Sequence, residues 1–201
     1  MNPLNIQPDN AMALQINSAV FEEFPVLQTP RLTLRDIQQE DAEAIFQMRA
    51  NARVGQFIAR PDMEDPKDAA ELVAKTRVAY ARKEAIGWAG LLRDGSEIIG
   101  TCGFNRIEAR NLRAELGGEM ATAYWGKRIA VEAVTEIVRF GLHTMGLHTI
   151  EAKVEPDNRG AIFLLESLGF VKEALFRERV YFEEQFRDMA VLTLHKGREK
   201  F

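Results

Sequence analysis

The chain has 201 residues, 46% of them hydrophobic and 28% charged, which is the composition of a globular protein and excludes wholesale disorder, collagen-like repeats and coiled coil. A net charge of -4, from 26 basic and 30 acidic residues, gives no bulk attraction to nucleic acid. The single cysteine, Cys102, rules out an intrachain disulfide and suits a reducing cytoplasm.

No basic residue precedes Arg31, so no secretory signal is expected. The longest uncharged runs, Asn10–Phe21 and Phe140–Ile150, fall short of the ~20 apolar residues of a membrane helix. A cytoplasmic protein without a membrane partner is therefore expected. Residues 1–25, with Pro3, Pro8, Pro25 and no basic side chain, read as an N-terminal extension carrying a short helix around Ala13–Phe21. Residues 26–201 read as one domain.

That domain opens with an alternating strand at Arg31–Ile37 and a short helix at Asp41–Ala50. Asp65-Pro66 supplies an N-cap followed by proline at the first helical position, and the helix it starts runs to about Ala85. Strands Ile86–Arg93 and Glu97–Ile107 flank Asp94-Gly95, a hairpin turn signal. A further strand covers Asn111–Ala121, and a helix begins near Gly126. A strand at His148–Glu155 ends at Pro156, and Asp157 or Asn158 caps a helix that stops at Gly169. Strands at Phe170–Tyr181 and Phe186–His195 close the chain. Meander strands followed by strand–helix alternation predict a mixed sheet with helices on its faces.

Two strand–turn–helix units place helix N-termini side by side, one at Glu115–Ala130 and one at Glu151–Leu164. The first helix opens on Gly126-Lys127-Arg128. Two cations oppose the helix dipole there, and a bound anion would reverse the penalty. Exposed backbone N–H groups with Lys127 and Arg128 fit a pyrophosphate; side chains simply solvated in water are the alternative.

The stretch Tyr124-Trp125-Gly126-Lys127-Arg128-Ile129-Ala130-Val131-Glu132-Ala133 resembles the acetyl-CoA signature of the GNAT N-acetyltransferase superfamily, and is more closely similar to its RimJ/RimL branch of ribosomal-protein N-terminal acetyltransferases. The likeness extends in order over residues 26–195: Leu27–Asp36 resembles the opening strand, Ile98–Asn105 the third, Ala114–Gly117 the fourth, and Val154–Ala161 with Leu168–Phe170 the second cofactor motif. The resemblance implies an α/β (α+β) fold: a mixed, mostly antiparallel seven-stranded sheet with helices on both faces and splayed fourth and fifth strands. It implies acyl transfer from acetyl-CoA to a primary amine by direct attack on the thioester. Acyl-CoA and an amine acceptor, a protein N-terminus among the candidates, are the expected partners, with a homodimer admitted and no metal. A non-catalytic CoA-binding module, or another donor such as succinyl-CoA, are the alternatives.

Carried onto this chain, the resemblance assigns pantetheine contacts to the backbone near Met120 and Ala121. It assigns pyrophosphate contacts to the Trp125–Ala130 segment, Ile129 included, and a side-chain contact to Asn158, for which helix capping is an equal reading. Glu115 is the candidate general base, against a structural role paired with an arginine; Glu119 is the reserve and Glu178 a weaker third. Two departures stand out. The family usually has glycine where this chain has Arg128. The Tyr or Ser that often protonates the leaving thiolate is replaced by Ala161 and Leu165, leaving Tyr181 or water for that step. His143, His148 and His195 lack metal-ligand spacing, and Cys102 reads as a buried, inert thiol.

Overall fold

The computed structural model describes residues 15–201. Eight strands form one sheet in the order β1-β2-β3-β4-β5-β6-β8-β7. They are β1 (Leu27–Gln28), β2 (Leu32–Asp36), β3 (Ile86–Leu92), β4 (Ile98–Glu108), β5 (Arg113–Met120), β6 (Thr149–Val154), β7 (Val171–Phe182) and β8 (Gln185–His195). Only β5 and β6 pair in parallel. The expected seven strands become eight because Leu27 and Gln28 pair with Leu34 and Thr33; two residues are too few for an alternating pattern to show.

The helices are α1 (Ala42–Arg49), α2 (Ala52–Gly55), α3 (Pro66–Ala81), α4 (Ile129–Arg139) and α5 (Arg159–Leu168). The Asp65 carboxylate accepts from the Lys67 amide at 2.9 Å, so the N-cap is as expected. Helix α3 ends at Ala81 rather than Ala85, where Lys83 takes a positive φ. Helix α4 starts at Ile129, three residues after the expected Gly126. Gly126 has φ +73° and Arg128 φ +59°, which no helical turn can hold. The expected helix at Ala13–Phe21 lies partly outside the described residues; the rest is a 3₁₀ turn at Ser18–Phe21.

Cross-strand partners share a face, so the register sorts the side chains into two layers. Trp88, Cys102 and Gly118 are in register and belong to the face under α4, where Phe140 meets Trp88 edge to face. Ala89, Thr101 and Glu119 belong to the opposite face, where Ile45 of α1 and Ala69 and Val73 of α3 close a second small core with Ala89. Val20 joins the core on the α4 side, and the Pro25 carbonyl accepts from the Trp88 indole at 2.7 Å, so the segment before β1 is fastened to the sheet. No helix among the described residues is long and apolar enough to cross a membrane.

Candidate active site

Strands β5 and β6 are in register from Arg113–Thr149 to Leu116–Ala152, and no further. Beyond that point they diverge, as the fourth and fifth strands were expected to do. A groove of about 780 Å³ occupies the divergence, within the ~300–1,000 Å³ of ligand sites. Its walls include Gly117–Met120 of β5, Ala152–Val154 of β6, the Tyr124–Ala130 region and the start of α5.

The Ala121 amide donates to the Ile99 carbonyl at 2.9 Å, which fixes the phase of the β4–β5 ladder. Glu119 and Gly117 then bond to β4, and Gly118 and Met120 turn their N–H and C=O groups toward the gap. The Met120 carbonyl accepts from the Trp125 indole at 2.8 Å, leaving its amide for the groove. The Ala121 N–H is held by Ile99 and its carbonyl accepts from the Tyr124 amide at 3.0 Å, so neither group is open to the groove, whereas those of Gly118 face it.

The loop before α4 is shaped from outside by Arg31. Its guanidinium donates to the Lys127 carbonyl at 3.0 Å, to the Arg128 carbonyl at 3.1 Å and to Glu132 at 2.6 Å. Across a trans peptide the next N–H points the opposite way. Pulling those two carbonyls toward Arg31 therefore turns the amides of Arg128 and Ile129 away from it, at residues that line the groove. Ile129, Ala130 and Val131 also carry the free first-turn amides of α4. Glu132 is itself held by the Thr29 hydroxyl at 2.5 Å and the Arg31 amide at 2.8 Å. Those bonds and the Arg31 charge outweigh partial burial and hold its carboxyl below the usual range.

Arg128 occupies a left-handed backbone position, which explains why glycine suits it. A non-glycine residue there costs about 1–2 kcal/mol. Arg128→Gly is expected to raise the stability of the unliganded protein by about 1 kcal/mol, read as a higher urea midpoint at unchanged slope. Trp125 stands at the groove edge with the Arg53 guanidinium 5.5 Å from its ring centre, and Lys127 lies over Tyr124 at the same distance.

The Asn158 side-chain oxygen accepts from the Ala161 amide at 3.1 Å, so it caps α5, and the residue also lines the groove. Cys102 lines the groove too, and burial pushes its thiol up to about 12, which keeps it protonated and inert.

Glu115, Gly117 and Glu119 face the other side of the sheet. Glu115 meets Lys153, with Nζ to Oε2 at 2.6 Å, rather than an arginine. It lies in a second concavity, a trough of about 350 Å³ that also takes in Arg113, Glu151, Phe176 and Arg179. Lys153 lines both trough and groove, so the two meet at the splay. Glu119 is the buried acid: its side chain is 4% exposed and carries Arg49 on one oxygen and Arg60, at 2.8 Å, on the other. Nothing in the one-dimensional pattern pairs Glu119 with Arg49 or Arg60, which lie 70 and 59 residues away.

Tyr181 is not brought to the site. It sits near the β7–β8 turn, 62% exposed, against Phe186, and lines neither concavity. Glu178 also stays outside, in a bulge of β7, its amide bonded to Asp188. Leu165 is buried and Ala161 carries no proton donor. Among the described residues no cluster of His, Cys, Asp and Glu could hold a metal ion.

Residues 31–171 match the family model of the acetyltransferase (GNAT) domain. The uncharacterized N-acetyltransferase YoaA of Bacillus subtilis is 35% identical over 176 residues, covering 88% of this chain and 99% of the relative. The [ribosomal protein uS5]-alanine N-acetyltransferase of Escherichia coli is 31% identical over 102 residues, 50% of this chain and 53% of the relative. Among solved structures, the Microcin C7 self immunity acetyltransferase MccE in complex with acetyl-CoA and AMP superposes with a TM-score of 0.75 at 16% identity, covering 83% of this chain and 93% of that one.

Proposed function

The chain belongs to the GNAT family of acetyltransferases, with acetyl-CoA as cosubstrate, and we propose that it acetylates a primary amine presented in the trough, a protein N-terminus being the preferred class. One observation carries this reading. The groove at the β5–β6 divergence is lined by α4 and also by Glu119 and by Arg53, Val54, Phe57 and Ile58 of the α2 region, and it shares Lys153 with the trough that holds Glu115, so donor and acceptor can approach the splay from opposite faces. The protein N-terminus is favoured because a relative is named for acetylating the alanine of ribosomal protein uS5.

The donor fits what the groove offers. Amides of Gly118 and Met120 suit an extended pantetheine arm, and those of Arg128 to Ala130, with Lys127 and Arg128 beside them, suit a pyrophosphate. Asn158 keeps its side-chain N–H₂ free for the donor.

In the reaction the amine nitrogen bonds to the thioester carbon, the C–S bond breaks, and the sulfur leaves as thiolate. An amide of the β5 edge would stabilise the oxyanion. The amine must shed one proton, because an α-amino group titrates at ~7.7–8.0 and is largely protonated at neutral pH. Glu115 is the base in this reading. Lys153 occupies only its Oε2, whereas both oxygens of Glu119 are engaged by arginines. Ala161 and Leu165 carry no proton donor and Tyr181 lines neither concavity, so water protonates the thiolate in this reading.

The test records CoA release from acetyl-CoA with a panel of N-terminal peptides, polyamines and amino acids. Turnover concentrated in the peptides supports the reading; no turnover with any amine, together with no acetyl-CoA binding, rejects it. Glu115→Gln is expected to lower kcat by about 10²–10³ and to remove the acidic limb of the pH profile. An unchanged profile rejects Glu115 as the base.

A further inference from the structure

We propose that Lys153 is a self-acetylation site: when no acceptor is present, its amine takes the acetyl group from acetyl-CoA bound in the adjoining groove. The inference rests on the acetyl-CoA reading of that groove and extends it to a residue of this chain.

Lys153 stands where the two strands part. The last β5–β6 pair is Leu116 with Ala152, so Gly117 and Lys153 are the next residues on either side of the gap. Glu115 pairs with Glu151, and Lys153 lies two residues beyond Glu151, so all three belong to one face of the sheet. The Lys153 side chain leans back across the opening to Glu115, with Nζ to Oε2 at 2.6 Å, and is 44% exposed. It lines both the groove and the trough, and among the described residues no other lysine lines either.

The direction of the donor brings its thioester to the same point. The amides suited to a pyrophosphate lie at Arg128 to Ala130, and those suited to the pantetheine arm follow at Met120 and then Gly118. That order runs away from the start of α4 and toward the closed end of the splay, where Leu116 meets Ala152. A thioester carried along it arrives beside Gly117, level with Lys153. An amine that is to be acetylated needs a base within hydrogen-bond reach and an acyl carbon held close to it. Lys153 has the base in Glu115 and meets the acyl carbon when the donor is bound.

The step consumes acetyl-CoA and nothing else. The ammonium gives one proton to Glu115, and the neutral nitrogen bonds to the thioester carbon. A second proton passes to water as the adduct collapses, the C–S bond breaks, and CoA leaves as thiolate. The product is an uncharged Nε-acetyl-lysine, which ends the ion pair with Glu115. Lysine amines titrate at ~10.4 and α-amino groups at ~7.7–8.0, so far fewer lysines than N-termini are uncharged at neutral pH. A bound N-terminal amine therefore reacts first, and Lys153 takes the acetyl group only in its absence.

The test incubates the full chain with acetyl-CoA and no acceptor, and follows acetyl uptake by intact-mass and peptide-mapping mass spectrometry. Lys75 is the internal reference: it too is paired with a glutamate, Glu71 at 3.3 Å, but it is 75% exposed and lies on α3, outside both concavities. Lys153 is expected to gain its acetyl group at least tenfold faster than Lys75, and to lose that lead when acetyl phosphate, which has no CoA handle, replaces acetyl-CoA. Comparable rates at the two lysines with acetyl-CoA, or the same lead with acetyl phosphate, overturn the proposal while leaving the acetyl-CoA reading intact. Failure of acetyl-CoA to bind rejects that reading, and this proposal with it. Lys153→Arg is expected to remove the acceptor-free burst of CoA release; a retained burst places the acetyl group elsewhere and overturns the proposal. The wild-type comparison decides the matter even where this variant does not fold.

Discussion

Glu119→Ala is expected to cost about 3 kcal/mol of folding stability, the low end of the ~3–5 kcal/mol for removing one partner of a buried ion pair. The low end applies because Arg49 and Arg60 keep 21% and 17% of their side chains exposed, while Glu119 keeps 4%. Two guanidiniums would lose their shared counter-charge at once. The damage would reach beyond β5, because Arg49 ends α1 and Arg60 follows α2, so this one carboxylate ties both segments to the sheet beside the groove. Glu119→Gln, which keeps the shape and loses the charge, should fall between Ala and wild type. Urea denaturation measures both, and a loss below about 1 kcal/mol for the alanine variant would show that the pair is solvent-screened and contributes little.

Arg31→Ala is expected to weaken CoA and acetyl-CoA binding by at least tenfold, and to lower stability by about 1–2 kcal/mol. Only part of the loss is electrostatic, since Arg31 is 45% exposed. The larger effect is on the Lys127 and Arg128 carbonyls, which lose the fork that turns the following amides to the groove. Arg31→Lys should recover little, because an ammonium cannot span two carbonyls and a carboxylate in one plane. The separation to look for is kinetic: KM for acetyl-CoA rises while KM for the acceptor stays put. An equal rise in both would mean that Arg31 supports the fold at large and not the donor loop.

Glu132 shows how far the sequence alone could reach. The resemblance at Tyr124–Ala133 marks the helix start, and the dipole argument marks an anion there. Neither shows that Glu132, an acid in the first turn of α4, is engaged from 101 residues away by the side chain of Arg31. The unusual backbone at Arg128 is similar. The departure from glycine is visible in the residues, but its cost becomes visible only with φ at +59°.

The sequence by itself determined the order of the longer elements, most boundaries to within a few residues, a cap at Asp157 or Asn158, the turn at Asp94-Gly95 and the irregular basic segment before α4. These depend on local physics: hydrophobic period, capping and turn chemistry act between residues a few positions apart. The tertiary structure decided which carboxylate is engaged at one oxygen and which at both, since Glu115 and Glu119 share one parity on β5 and differ only in what other elements bring to them. It placed Tyr181 outside both concavities, and it turned the N–H and C=O of Gly118 rather than those of Ala121 toward the groove, because a hydrogen-bond ladder has a phase that composition cannot set. The opening balance of charge, near neutrality at -4, was equally silent on arrangement. The groove carries Arg128 at its loop, and the trough collects acids and bases together; only the three-dimensional fold sorts the same charges into those places.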